Sequence, residues 1–343
     1  MTSFRKLWSL AAAVALLCGL GCSADETGET SADATECGAT CEGMTRIEAG
    51  AFFMGSPDTE GRAREQPLHL VNFEEPYYID TYEVTQGEFA QFLRAHGNGC
   101  SFQGQSIPCY DCADTPDLIL DRKIECIEGW PLKSDCQSEP GGSHDQSCAD
   151  HPATLVFWPG AAAFCEWKGK HLPSEAQWER AANGPGGPDA SQWRRFPWGS
   201  DCPTLFNKKD LLEVCTGDAW APSTAKANCE EPWCNDGFRW TAPVGSFPRG
   251  VSPEGVHDMS GNVMEWVMDC FHESFDTSEG HKAPDDGSAW LTDCDEKQKV
   301  ASGGSAVDDG VNLRSAFRGG DPIDAPEADF DVGFRCAWTP PVP

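Results

Sequence analysis

The sequence predicts an irregular α+β fold that has little regular secondary structure and is rich in disulfide bonds. The chain contains 35 glycines, 25 prolines and 13 tryptophans, and few of its segments keep a helical or strand periodicity for long. Glycine and proline interrupt helices and strands, so this composition favours loops. The 18 cysteines supply the covalent links that such loops need in an exported chain.

The N-terminus has the pattern of an export signal. Two basic residues precede an apolar run too short to span a membrane, which predicts a signal peptide over residues 1–21. The order of residues 19–22 resembles a bacterial lipoprotein cleavage site and predicts lipidation at Cys22. Residues 22–42 are predicted to be an acidic flexible tether. We expect an exported protein anchored to the bacterial cell envelope by lipid alone, with simple secretion as the alternative.

The strongly acidic balance limits the possible partners. The chain has 25 basic and 55 acidic residues, which gives a net charge of −30. Nucleic-acid binding depends on lysine and arginine to neutralise phosphates, so nucleic acid is not an expected partner. An acidic surface favours solubility, metal cations and basic partners instead.

Residues 43–343 are predicted to form one folded domain. Clusters of β-branched and aromatic residues predict strands over residues 43–56, 69–73 and 77–80. The next element is a helix over residues 85–95, because apolar residues recur there at helical spacing. Thr85 and Glu88 have the spacing of a capping box at its start.

Two further helices are predicted after a cysteine-rich stretch. An apolar face predicts the first over residues 159–168, and Ser174 is a suitable N-cap for the second, over residues 175–182. The stretch before them, residues 97–150, is an insertion that contains six cysteines without periodicity. Its length predicts mostly local disulfides, whose pairing the sequence leaves open.

Residues 255–266 carry the most distinctive local pattern. Asp258 and Glu265 flank the pair Gly261-Asn262, and Gly-Asn predicts a tight turn. Backbone carbonyls turned inward beside two carboxylates would form an oxygen cage of the kind that calcium prefers. The alternative from spacing alone is a turn that carries two solvated acids.

This stretch, GVHDMSGNVMEW, resembles the signature of the sulfatase-modifying-factor family, which includes the formylglycine-generating enzymes. Further motifs follow in family order: AFFMGS at 51–56, YIDTYEVT at 78–85, HPATLVFW at 151–158, AFCEWKGKHLPSEAQWER at 163–180, FPWG at 196–199, TAPVGSFP at 241–248, GGS at 303–305 and GFRC at 333–336. The resemblance covers roughly residues 43–338. It implies a fold related to C-type lectins.

The resemblance also implies two structural calcium sites and one disulfide. The first site would use the side chains of Asn228 and Asp236 with the carbonyls of Cys229 and Phe238. The second would use the side chains of Asp258 and Glu265 with the carbonyls of Gly261 and Val263. Both ligand sets combine carboxylates with carbonyls, as calcium sites do. The implied disulfide joins Cys165 to Cys336.

The copper centre of the family is not expected here. In formylglycine-generating enzymes, two cysteines follow the Gly-Gly-Ser motif and bind copper(I) through thiolates. At the matching positions this chain has Asp308 and Leu313, and no cysteine lies between Cys294 and Cys336. A carboxylate and a leucine cannot replace two thiolates.

The resemblance therefore implies a calcium-stabilised, non-catalytic module that binds a peptide or protein in its cleft. The alternative is an oxidoreductase of the formylglycine-generating or nonheme-iron type that acts on a cysteine or another sulfur substrate. An iron site would need Asp308, Asp309 and a histidine brought near by folding. The cleft candidates are Ser305, Arg314 and Arg318, and the two arginines are a hypothetical carboxylate-binding pair. For Arg335 a buried ion pair is the favoured interpretation.

Overall fold

The structure is a computed structural model. It describes residues 37–110, 148–185, 193–199, 227, 238, 240–276, 280–308, 310–319, 323–325 and 327–341. The predicted signal peptide, Cys22, most of the tether and most of the 97–150 insertion lie outside these residues. So do Asn228, Cys229 and Asp236 of the first predicted calcium site.

In the described ranges, the strands form four small sheets. They are β1 (Met44–Ile47), β2 (Gly50–Met54), β3 (His69–Phe73), β4 (Tyr77–Asp80), β5 (Gly99–Phe102), β6 (Gln105–Pro108), β7 (Met264–Cys270), β8 (Gln298–Ser302), β9 (Ile323–Asp324), β10 (Val332–Phe334) and β11 (Ala337–Trp338). One sheet has the order β1-β4-β11, a second has the order β10-β7-β8-β9, and β2-β3 and β5-β6 are separate pairs. Short strands in small sheets agree with the predicted irregular α+β class.

Among the residues that the structure describes, three α-helices connect these sheets: α1 (Gln86–His96), α2 (Trp158–Trp167) and α3 (Glu175–Asn183). The predicted capping box at α1 is confirmed, because the Glu88 N–H donates to Thr85 Oγ1 and the Thr85 N–H donates to Glu88 Oε2. Ser174 caps α3 as predicted, and Gln177 completes a second capping box there. These caps satisfy N–H groups that the first helical turn leaves free.

In the described residues, three clusters of buried apolar side chains form the core, and two of them are large. The first joins α1, α2 and β10 through contacts among the rings of Phe89, Phe164 and Phe334. The second surrounds the fully buried Trp178 of α3 and Trp290, which precedes β8. The parallel pairing of β10 with β7 sets Gly333 beside Glu265. This register brings the GFRC motif next to the 255–266 motif, although about 70 residues separate them in sequence.

Disulfides tie this loop-rich domain together. Cys165 of α2 is bonded to Cys336, as the resemblance implied, and both residues are fully buried. Cys100 is bonded to Cys109, a local link within the described start of the insertion. Cys270–Cys294 is a further pair. Disulfides of this number are consistent with an extracellular or exported protein.

The predicted tether ends earlier than expected. Residues 37–42 were assigned to it, but Cys37 is bonded to Cys41 and Gly38–Cys41 forms a 3₁₀ helix. The disulfide closes this short turn and orders a segment whose polar composition predicts disorder. The folded domain therefore includes Cys37.

Within the described residues, the protein has no helix with the length and hydropathy needed to cross a bilayer.

Candidate functional site

The predicted turn at Gly261-Asn262 is present. Gly261 and Asn262 have φ values of 86° and 64°, and Asp258 also has a positive φ, 56°. The Asn262 side chain holds the turn, since its Oδ1 accepts from the Ala242 N–H at 2.8 Å and its Nδ2 donates to Glu83 Oε2 at 2.9 Å. Glycine and asparagine tolerate this backbone region better than other residues, which explains the local sequence.

Glu265 and Arg335 form a fully buried ion pair beside this turn. Arg335 donates from Nη2 to Glu265 Oε1 and from Nε to Oε2, both at 2.6 Å, and Trp178 Nε1 also donates to Oε2 at 2.9 Å. Both side chains are completely buried. The favoured interpretation of Arg335 as a buried pair is therefore confirmed.

The surroundings of this pair carry more negative than positive charge. Glu83 and Asp258 are also buried, at 1% and 7% exposure, so three carboxylates accompany one guanidinium. Burial, followed by the charges of Asp258 and Glu265, raises the pKa of Glu83 well above its usual value. Burial raises the pKa of Asp258 to about 6. Both shifts mean that these carboxyls resist ionisation in the protein alone, and a bound cation would favour their ionised forms.

Two buried oxygens of this cluster have no hydrogen-bond partner. They are Asp258 Oδ1 and Glu83 Oε1, while Asp258 Oδ2 accepts from the Gly245 N–H at 2.6 Å. Buried polar atoms of this kind require an explanation, and a hard divalent cation that takes oxygen ligands is one. The donor types and the charge of the cluster therefore fit calcium.

The predicted ligands of the second calcium site differ in whether their oxygens are available to bind an ion. Asp258 keeps an open oxygen, whereas both oxygens of Glu265 already accept hydrogen bonds from Arg335. Gly261 and Val263 are buried beside it, and the Gly261 N–H donates to the Gly303 carbonyl. Phe238 of the first predicted site is half-buried and contacts the Phe247 ring.

The Gly-Gly-Ser motif leads into a largely buried acidic cluster. Ser305 is fully buried, and its Oγ lies 2.9 Å from Asp308 Oδ2 and 2.9 Å from Asp331 Oδ2. The Ser305 N–H also donates to Asp308 Oδ2, and Asn312 Nδ2 donates to Asp308 Oδ1 at 2.8 Å. The Asp331 carbonyl accepts from the Met264 N–H, which ties the acidic cluster to β7.

The Ser305 hydroxyl has one hydrogen, so it cannot donate a hydrogen bond to both neighbouring carboxylates. Burial, followed by the charges of Asp329 and Asp308, raises the pKa of Asp331 to about 7. Near neutral pH a protonated Asp331 can donate to Ser305 Oγ, which in turn donates to Asp308. The three side chains therefore share protons in a way that depends on pH.

The positions matched to the copper cysteines are occupied by side chains that cannot bind copper(I). The Asp308 carboxylate is held by Ser305 and Asn312, and Leu313 is buried, at 4% exposure. Cys294 and Cys336, the cysteines on either side in sequence, are bonded to Cys270 and Cys165. Asp309 of the hypothetical iron site lies outside the described residues.

The hypothesis that Arg314 and Arg318 form a carboxylate-binding pair for a ligand is wrong. Arg314 is bidentate to the buried Glu65, with its Nη2 2.9 Å from Oε1, and Arg318 pairs with the buried Glu175 at 2.6 Å. The two arginines are only 5% and 2% exposed. Their charges already neutralise internal carboxylates, so neither is presented to a ligand.

Sequence reasoning missed Glu83 and Asp331. Glu83 carries a local signal, because it is an acid between Tyr82 and the buried Val84 inside the 78–85 motif. Asp331 carries none, since an aspartate next to a strand is common and its partner Ser305 lies 26 residues away. Only the folded chain brings these groups together.

Comparisons with known proteins agree with this arrangement. The family model described as the sulfatase-modifying factor enzyme 1-like domain matches residues 30–340. The chain is 30% identical over 310 residues to formylglycine-generating enzyme of Bos taurus, with 86% of this chain and 74% of that protein covered. It is 27% identical over 309 residues to inactive C-alpha-formylglycine-generating enzyme 2 of Bos taurus, with 86% and 85% covered.

A solved structure has a similar fold. PvdO from Pseudomonas aeruginosa matches with a TM-score of 0.58 and 26% sequence identity. The match covers 86% of this chain and 93% of that one.

Proposed function

Because the chain belongs to the sulfatase-modifying-factor family, we propose that it is a calcium-stabilised member that binds a peptide or protein ligand without copper chemistry. It is exported and held at the cell envelope by a lipid on Cys22. Its cleft is the surface around Ser305, Asp308 and Asp331.

The side chains at the two positions matched to the copper cysteines are the evidence for the loss of copper chemistry. Asp308 is fixed by Ser305 and Asn312, and Leu313 is packed away from solvent. Copper(I) prefers soft thiolate ligands, and residues 295–335 contain no cysteine. A relative that bears the name inactive C-alpha-formylglycine-generating enzyme 2 supports the existence of such members in the family.

The charge of the cleft selects the chemistry of the ligand. Asp308 and Asp331 contact Ser305, Asp329 adds a negative charge that acts on Asp331, and Arg314 and Arg318 are occupied elsewhere. Carboxylates form their strongest hydrogen bonds with ammonium and guanidinium groups. The proposed ligand is therefore a peptide that presents a lysine, an arginine or a free N-terminus.

The absence of copper chemistry can be tested on the purified protein. With a Cys-x-Pro-x-Arg peptide and added copper, we expect no oxygen consumption and no conversion of the cysteine to formylglycine. Asp308→Cys/Leu313→Cys is the matched variant, and it should gain one tightly bound copper(I) because two thiolates return to the matching positions. Turnover by the unmodified protein would refute the proposal.

Ligand binding should depend on pH through Asp331. A cationic ligand favours the ionised carboxylate, so affinity for a fluorescent oligolysine peptide should rise as pH increases through about 7. A pKa near 7 allows an increase of roughly up to tenfold between pH 6 and pH 8 if binding requires the ionised form.

Two variants separate this effect from general attraction to an acidic protein. Asp331→Asn should weaken binding and flatten the pH dependence, whereas Asp58→Asn removes an exposed carboxylate in the 57–60 turn and should change neither. Equal pH dependence in the Asp331→Asn variant would exclude Asp331 from the site.

Calcium removal should destabilise the domain. Glu83 and Asp258 keep unpaired buried oxygens, and a bound cation would satisfy them. At a free calcium concentration near one hundred times Kd, binding contributes about 2.7 kcal/mol, so EGTA should lower the Tm of a domain of roughly 300 residues by about 4 °C. Asp258→Asn should lower Tm in calcium and remove the response to EGTA. A Tm that EGTA leaves unchanged would contradict calcium stabilisation.

A further inference from the structure

A second cluster of ligand-type side chains lies away from the cleft, where β7 ends. In the part of the chain that the structure describes, the one group of three histidine, cysteine or carboxylate atoms close enough to share an ion consists of Cys270, His272 and Cys294. Their ligand atoms all lie within 4.8 Å of one another. The two sulfurs are joined as a disulfide in this structure.

The geometry points to a second state: we propose that reduction of Cys270–Cys294 creates a Cys2His site for a thiophilic d¹⁰ ion such as zinc(II). Zinc takes thiolate and imidazole ligands at about 2.3 Å and 2.0–2.1 Å, and three protein ligands leave a fourth position for water. Two sulfurs on one tetrahedral zinc are roughly 3.8 Å apart, so the disulfide must open before the ion binds.

The His272 ring is already fixed in place, and one of its two nitrogens would exchange a backbone carbonyl for the ion. Its ring stacks on Trp290 with centroids 3.5 Å apart and an interplanar angle of 7°. Nδ1 lies 3.1 Å from the Cys270 carbonyl, and Nε2 lies 2.9 Å from the Thr292 carbonyl. Metal-binding histidines usually keep one ring N–H on a carbonyl or carboxylate while the other nitrogen binds the metal.

One of the two cysteines of this disulfide is partly accessible to solvent. Cys294 is half-buried between the exposed Asp293 and Asp295, whereas Cys270 is only 1% exposed. Cys165–Cys336, in contrast, is completely buried at both residues. A thiolate from solution can therefore reach Cys294 more easily than either sulfur of Cys165–Cys336.

The reaction balances with an external dithiol as the reductant. One thiolate of the dithiol attacks the Cys294 sulfur, the Cys270–Cys294 bond breaks, and Cys270 leaves as a thiolate. The second thiol of the reductant then attacks the mixed disulfide and releases Cys294. The dithiol is oxidised by two electrons to a disulfide, the protein gains two thiols, and zinc(II) displaces their two protons.

The test compares zinc binding before and after reduction of the full chain. The protein is treated with dithiothreitol, freed of it anaerobically, and titrated with zinc in excess calcium. We expect the reduced wild type to bind one more zinc than Cys270→Ser/Cys294→Ser treated in the same way, so that any other opened disulfides cancel. Equal zinc content in the two proteins would overturn the proposal.

Two further measurements test the site without the double variant, which could fold poorly. They are the zinc affinity of a histidine variant and the absorption spectrum of the cobalt-loaded wild type. His272→Phe keeps an aromatic ring against Trp290 and should weaken zinc binding by at least about tenfold, since even second-shell changes have effects of that size. His281→Phe changes a half-buried histidine paired with Asp293 and should leave affinity unchanged. Reduced wild type loaded with cobalt(II) should show thiolate charge-transfer absorption, and its absence would refute the site.

Discussion

Arg335→Met should lower the free energy of unfolding by about 3–5 kcal/mol, the cost of breaking a buried ion pair from one side. Arg335 is fully buried and bidentate to Glu265, and its Nη atoms also donate to the carbonyls of Asp80 and His257. Without this cation, the buried Glu265 carboxylate loses its counter-charge. Chemical denaturation at pH 7 would measure the loss.

A second change shows whether charge is the cause. Arg335→Met/Glu265→Met removes both members of the pair, so it should recover part of the stability that the single variant loses. Arg46→Met is the matched control, because Arg46 pairs with Glu48 at the surface, where Glu48 is 67% exposed. An exposed pair contributes about 0–1 kcal/mol. Similar losses for Arg335→Met and Arg46→Met would rule out the buried-charge explanation.

The same variant bears on the proposed calcium site. Removing Arg335 makes the cluster of Glu83, Asp258 and Glu265 more negative, and it frees the oxygens of Glu265 that now accept hydrogen bonds. Calcium should then recover more stability in Arg335→Met than in the wild type. The charge of the cluster thus links the stability of the fold to the cation that we propose.

Local elements of this fold were predictable because their causes are local. The cap of α1 is set by Thr85 and Glu88, three residues apart, and the turn at Gly261-Asn262 is set by two residues that tolerate positive φ. Strands β3 and β4 were predicted with their observed bounds, since dense β-branched and aromatic residues mark them.

The polar sites were only partly predictable because their partners are remote in sequence. Arg314 was assigned to a ligand, yet its carboxylate partner Glu65 lies 249 residues away. A chain with 55 acidic residues offers many possible partners, and spacing does not choose among them. Asp331 likewise reaches Ser305 because β10 pairs with β7 and β7 pairs with β8, the strand that precedes Ser305. The resemblance identified the motifs, and the fold determines which of their charges are neutralised.

The Cys165–Cys336 disulfide should have the largest effect of the described cross-links. It joins residues 171 positions apart, whereas Cys100–Cys109 joins residues 9 apart. A disulfide reduces the conformational entropy of the unfolded chain more when it closes a longer loop, and loss of a native one costs about 2–5 kcal/mol. Cys165→Ala/Cys336→Ala should fall at the upper end of that range.

Cys100→Ala/Cys109→Ala is the matched control, because its half-cystines are also buried, at 8% and 0% exposure. The alanine substitutions remove similar buried volume in both variants, so the difference between them isolates loop length. The chain-entropy relation gives a difference of about 2–3 kcal/mol in the free energy of unfolding. Denaturant titrations of both variants measure that difference. A larger loss from the Cys100–Cys109 variant would mean that native packing, rather than the unfolded chain, determines how these cross-links stabilise the domain.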